Sequence, residues 1–184
     1  MIPSNLGPKA IAMFDGLLSR GLLFYAETQA EPVSHDGFQF EFRVSPVLKK
    51  KPILARDAPG RSQAQGPFVD PDPDFVVAEI GTGHILELNM HCIHRPAFVL
   101  HTRLFAPQTD DLDATDIAAV RAVIENLRGS LGPQMAIYNC GFDAGSSQGH
   151  KHMQISKLIS LACLSNISPC GLNRAQVRET STYS

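Results

Sequence analysis

Apolar residues first recur at helical spacing. Ile11, Phe14, Leu17 and Leu18 share one face of a segment that opens at Pro8 and closes at Arg20. Proline near a first turn, with Gly21 where a C-terminal cap belongs, predicts an amphipathic helix over 8–20. The period then changes. LLFYAETQ at 22–29 and GFQFEFRV at 37–44 have strand character. In the second, Phe38, Phe40, Phe42 and Val44 alternate with Gln39, Glu41 and Arg43, so the apolar set is expected to face a core and the polar set water. Further strands are predicted at 75–80, 84–89 and 97–103, running consecutively and antiparallel, with Gly81-Thr82-Gly83 as a tight turn. A helix follows over 113–128. Asp113 can cap it with Asp116 three residues on, and Ile117, Val120, Val123, Ile124 and Leu127 form a stripe that stops at Gly129. Strands at 134–140 and 150–155 complete the pattern. It predicts an α+β fold, with an antiparallel sheet carrying helix 113–128 on one face and strand 150–155 inside that sheet.

Two stretches break the periodicity. Residues 55–74 are rich in proline, glycine, aspartate and glutamine, bury little apolar surface on this reading and are expected to form a mobile connection. They are not a domain boundary, because the strands on either side are too few to close a core alone. After Gln154 no period of 2 or 3.6 is sustained. The chain therefore reads as one domain over 1–154, with a flexible loop at 55–74 and an atypical tail at 155–184.

Composition narrows the partners. A net charge of −2 provides no basic field, so a long nucleic acid is an unsuitable ligand, while a small phosphorylated one is compatible. No apolar run reaches the ~20 residues of a membrane span. The four cysteines, Cys92, Cys140, Cys163 and Cys170, form no CxxC pair, and the chain opens with no charged n-region followed by an apolar one, which gives an expectation of a reduced, cytoplasmic setting.

The chemistry concentrates in YNCGFDAGSSQGHKHMQ, residues 138–154. Gly141, Gly145 and Gly149 can adopt positive φ and turn successive N–H groups into one anion-holding concavity, to which Ser146, Ser147 and Gln148 add side-chain donors. Strand 134–140 delivers Asn139 to this loop. His150, His152 and Gln154 stand two apart, so an extended backbone puts them on one face, with Lys151 and Met153 on the other. A neutral imidazole beside bound phosphate is a competent nucleophile for phosphoryl or nucleotidyl transfer. The same His-x-His spacing also suits metal ligation, and a structural loop with surface histidines is a third reading. His84, His91, His94 and His101, with Cys92, raise a second metal question. Their spacing matches no standard zinc pattern, and satisfied core or surface histidines are the default. Lys49, Lys50 and Lys51 read by default as a solvated turn.

YNCG at 138–141, AGSSQ at 144–148 and HKHMQ at 150–154 resemble the histidine-triad superfamily, in the branch where glutamine replaces the third histidine. Within it they resemble the fungal-type diadenosine tetraphosphate phosphorylases, also called ATP adenylyltransferases. FRVSPVLKKKP at 42–52 and RPAFVLHTRLFAPQTDDLDATD at 95–116 extend the likeness over about residues 1–154. The resemblance implies that His152 attacks the α-phosphate of a dinucleoside polyphosphate and carries the nucleotide covalently, with His150 and Gln154 orienting the reacting groups. It further implies that Asn139, Gly145, Ser146, Ser147 and Gln148 hold phosphates and ribose, and that Lys51, just before Pro52, and Asn89 complete the grip. The family's lysine after that asparagine is Met90 here. Expected ligands are a dinucleoside polyphosphate, ATP, ADP and phosphate. No metal ligand set and no covalently bound cofactor are expected, and a divalent cation such as magnesium is compatible with the nucleotide. An inactive nucleotide-binding remnant and a metal-dependent hydrolase with His150 and His152 as ligands are the alternatives.

Overall fold

The computed structural model describes residues 3–158, with the side chains of Gln39 and Lys50 left aside; most of the tail predicted at 155–184 lies outside the described residues. Helix α1 spans Leu6–Ser19 and α2 Ala114–Leu131. The strands are β1 (Phe24–Tyr25), β2 (Ala30–His35), β3 (Phe38–Arg43), β4 (Val76–Ile80), β5 (His84–Leu88), β6 (His91–Cys92), β7 (Ala97–Thr102), β8 (Gln134–Ile137) and β9 (His152–Lys157). Five of them form the main antiparallel sheet in the order β4-β5-β7-β9-β8. The predicted α+β architecture is therefore present, and β9 lies inside the sheet as expected. It runs three residues beyond Gln154, to Lys157.

Strand alternation sorts the sheet into two faces. Leu86, Leu88, Phe98, Leu100, Met153 and Ile155 point to one side and join Phe14 of α1 with Val123 and Leu127 of α2 in the core. Phe98 and Ile155 are fully buried, each contributing roughly 1.5–3 kcal/mol by leaving water. The other face carries the chemistry. In one rung Ile85, His101 and His152 stand opposite one another, and in the next Glu87, Val99 and Gln154 do.

Helix α2 begins as its sequence dictates. The N–H groups of Thr115 and Asp116 donate to Asp113 Oδ1 at 2.7 and 2.9 Å, and Asp116 Oδ2 accepts from the Asp113 N–H at 3.0 Å, closing a capping box. The helix runs past Gly129 to Leu131 and ends at Gly132, because an exposed glycine inside a packed helix costs only about 1 kcal/mol. Ile117, assigned to the apolar stripe, is exposed, and Ala119 takes the buried position.

Two strand expectations need correction. Segment 22–29 contributes only Phe24–Tyr25, paired in parallel with His91–Cys92. Strand 37–44 forms, but as half of a separate β2–β3 hairpin, and its aromatic face is open: Phe38 is 68% exposed and Val44 82%. The polar face is the engaged one, since Arg43 donates to the Thr28 carbonyl at 3.0 Å and pairs with Glu41 at 2.5 Å.

Candidate active site

His152 opens β9 and is held from three directions. Its backbone N–H donates to Gln108 Oε1 at 2.7 Å, and its carbonyl accepts from Gln108 Nε2 at 3.0 Å. The same amide donates to the Asn139 carbonyl at 2.9 Å, tying the start of β9 to the start of the glycine-rich loop. The ring is fixed as well: Nδ1 lies 2.8 Å from the His150 carbonyl oxygen. A carbonyl only accepts, so the proton sits on Nδ1 and Nε2 keeps its lone pair. Burial, then the charge of Lys51 and the neighbouring His101 and His150, hold the His152 pKa down to about 4. The ring is thus neutral near neutral pH.

His152 lines a cavity of about 380 Å³, together with Lys51, Asn89, Ser147, Gln148 and Gln154. Six of the ten residues singled out by sequence therefore meet in one place. Burial lowers the Lys51 pKa, and among the described residues no carboxylate pairs with it, so its charge is available to a ligand. Met90 stands in the same wall, 45% exposed.

The other four frame this cavity from behind. His150 is buried, with Nε2 3.0 Å from Thr102 Oγ1, and its pKa is lowered by burial and then by His101. Ser146 donates its hydroxyl to the Gln148 carbonyl at 2.6 Å, shaping the loop. Gly145 takes φ +89° beside the Asn139 side chain. Lys151, on the far side of the strand as expected, is buried against Asp116 Oδ2 at 2.6 Å.

Segment 55–74, expected to be a mobile connection burying little apolar surface, lies across the glycine-rich loop. Arg61 donates to the carbonyls of Leu54, Ala55, Ser146 and Gln148, and its guanidinium covers the Phe142 ring at 4.8 Å. Phe68 is buried over the histidines, with its ring centroid 4.8 Å from His101 and 5.1 Å from His152. The lone aromatic in a polar stretch was the available signal for Phe68. Gln108 had none, because an isolated glutamine before an acidic run looks like surface.

Gly149 explains how tightly the two segments meet. It needs no positive φ, unlike Gly141 and Gly145; a Cβ there would overlap the Gly60 carbonyl oxygen and the Arg61 backbone. Gly149→Ala should therefore push segment 55–74 off the loop, at a cost of about 1–3 kcal/mol. A lowered melting midpoint with faster proteolysis inside 55–74 is the expected result, and an unchanged melt would count against this contact.

Two further histidines each face an acid. His84 pairs with Asp116 at 2.8 Å and His101 with Glu87 at 3.3 Å. Among the described residues no three His, Cys, Asp or Glu side chains converge as a metal-ligand group.

A sequence-family model described as the Ap4A phosphorylase N-terminal domain matches residues 2–170. The chain belongs to that family. Diadenosine 5',5'''-P1,P4-tetraphosphate phosphorylase 2 of Saccharomyces cerevisiae is 30% identical over 169 residues, covering 86% of this chain and 51% of the yeast protein. The crystal structure of yeast Ap4A phosphorylase Apa2 superposes with a TM-score of 0.71 at 26% identity, over 86% of this chain and 49% of that one. The same enzyme in complex with Ap4A gives a TM-score of 0.71 at 25% identity, over 86% and 53%. The chain spans about half the length of these Ap4A phosphorylases. None of its described helices is long and apolar enough to cross a membrane.

Proposed function

We propose that this chain is a nucleotidyltransferase that cleaves diadenosine tetraphosphate with inorganic phosphate to ATP and ADP, through a covalent adenylyl-histidine on His152. The observation that carries the reading is the His152 ring at the cavity wall, with Nδ1 anchored to the His150 carbonyl so that Nε2 keeps its lone pair. Nε2 attacks the α-phosphorus. The bond to the bridging oxygen breaks, its electrons leave with ATP, and an N–P bond holds the adenylate. An oxygen of inorganic phosphate then attacks the same phosphorus, the N–P pair returns to Nε2, and ADP departs.

The other residues have roles that fit their positions. Lys51 offsets phosphate charge, Asn89 and Gln154 line the same wall, and Ser147 with Gln148 offers donors to the oxygens on which charge grows. His150 acts by orienting the His152 ring, and Asn139, Gly145 and Ser146 by shaping the phosphate loop. The nucleotide brings any magnesium with it. A cytoplasmic setting goes with this reading, since Cys92 and Cys140 are free thiols.

Metal-dependent hydrolysis draws no support from the arrangement, because among the described residues no third His, Cys, Asp or Glu side chain converges with His150 and His152 as a ligand set. A silent nucleotide-binding domain is favoured by one feature, Met90 in place of a cationic partner for phosphate. Incubating the purified chain with diadenosine tetraphosphate and phosphate separates the readings. Phosphate-dependent appearance of ATP and ADP in equal amounts is expected; nucleotide binding without product would leave the silent domain.

Ser147→Ala and Gln148→Ala are expected to lower kcat by roughly 10²–10³ with a smaller change in KM, since preorganised donors act mainly on transition-state charge. A rise in KM with kcat unchanged would make them ground-state binding groups.

A further inference from the structure

We propose that Arg61 is a positioning residue for phosphate: it holds the outer side of the glycine-rich loop so that the backbone N–H groups of Ser147 and Gln148 serve the cavity as a pair of oxyanion donors. The loop geometry stands by itself; that the anion is a nucleotide phosphate rests on the function proposed above.

Three consecutive carbonyls of the loop are engaged from segment 54–61. The Ser146 carbonyl accepts from Arg61 Nη2 at 3.1 Å, and the Ser147 carbonyl from the Leu54 N–H at 2.9 Å. The Gln148 carbonyl accepts from Arg61 Nη1 at 3.4 Å and from Ser146 Oγ at 2.6 Å. These peptides are trans, and in a trans peptide the N–H of the next residue points opposite to the carbonyl. The N–H groups of Ser147, Gln148 and Gly149 therefore turn away from that segment. Among the described residues none of the three meets a protein acceptor, whereas the N–H groups of Gly145, Ser146 and Lys151 around them donate to the carbonyls of Phe142, Gly141 and Ala106. Successive N–H groups on one side of a loop form an anion-binding concavity. Ser147 and Gln148 line the cavity beside His152, so their open donors are the ones a bound phosphate can use.

One guanidinium organises this row. Besides Ser146 and Gln148, Arg61 donates to the carbonyls of Leu54 and Ala55, which fixes the stretch whose Leu54 N–H meets Ser147. A rigid fork of five donors can join four carbonyls from two segments, and a single ammonium cannot. Among the described residues no carboxylate pairs with Arg61, so its bonds are spent on the loop. Arg56 provides the contrast. It lies 4.8 Å from the same Phe142 ring, yet its guanidinium pairs with Asp143.

The test is a ¹H–¹⁵N NMR titration of the whole chain with AMP and, separately, with adenosine, which lacks the phosphate. In the unsubstituted protein AMP should bind more tightly than adenosine and move the Ser147 and Gln148 backbone amide signals downfield, while adenosine leaves them near their free positions. Arg61→Gln and Arg61→Lys should each cut the preference for AMP over adenosine roughly tenfold and remove that shift, with adenosine affinity unchanged. Arg56→Gln should keep both. A role confined to stability would weaken the two ligands alike, and a role through charge alone would be rescued in Arg61→Lys. Either result, or amides of Ser147 and Gln148 that ignore AMP in the unsubstituted chain, would overturn the proposal. If the amide shifts are present but diadenosine tetraphosphate yields no ATP and ADP, the proposed turnover falls and the role of Arg61 stands.

Discussion

His152→Ala is expected to abolish turnover of diadenosine tetraphosphate, by roughly 10⁴–10⁶ in kcat, the scale of removing a covalent nucleophile. Labelled substrate should leave adenylate on the peptide that contains His152 and none on the variant. His150→Ala should slow the reaction and still label, because its ring supports the site while its backbone carbonyl, which fixes the His152 tautomer, survives the substitution. Label on His150, or label persisting in His152→Ala, would overturn the assignment. The pH dependence follows from the same environment. With its pKa pushed down to about 4, His152 stays unprotonated as pH falls through 6.5, where an ordinary imidazole gains its proton. The acid limb of adenylylation should therefore fall well below pH 6. Stability moves in the matching sense: the unfolded chain takes up this proton first, so the His152 contribution is lost as pH drops from 6.5 towards 4.

The largest effect on stability is expected at Asp116. Its carboxylate is buried between Lys151 and His84, at 2.6 and 2.8 Å, while also accepting from the Asp113 N–H at 3.0 Å. One residue thus joins the start of α2 to β5 and to the residue between the two site histidines. Burial pushes its pKa up, and the hydrogen bonds from Lys151, the Asp113 backbone and His84 outweigh that and hold it below the ordinary value. Asp116→Ala would strand a buried ammonium, a loss of about 3–5 kcal/mol. Asp113→Ala, which removes only a cap, should cost about 1 kcal/mol. Denaturant unfolding of the two variants tests the contrast, and equal losses would show that the buried charges are not what matters. Since the folded pKa of Asp116 is depressed, its stabilisation is complete above the unfolded value near 4 and disappears as pH falls through the folded one.

Local signals were sufficient where the cause is local. The Asp113 cap and the strand runs that became β4, β5 and β7 depend on neighbours a few residues away, and each formed within a residue or two of its expected bounds. The Phe38, Phe40, Phe42 alternation was also real, but a period of two marks two faces without saying which one meets a core. In a hairpin outside the main sheet, the aromatic face stayed open.

Residue types and spacing alone put His150, His152 and Gln154 on one face of an extended segment after a glycine-rich loop, because side-chain direction in an extended backbone follows from covalent geometry. Which of those groups line the cavity was decided only by tertiary structure. Gln108 reaches His152 across 44 residues of chain, Glu87 reaches His101 across 14, and Phe68 covers both histidines from a stretch with no periodic pattern. Contacts of that kind arise when strands pair and loops pack, and the protonation of His152 depends on the burial and charge they bring together.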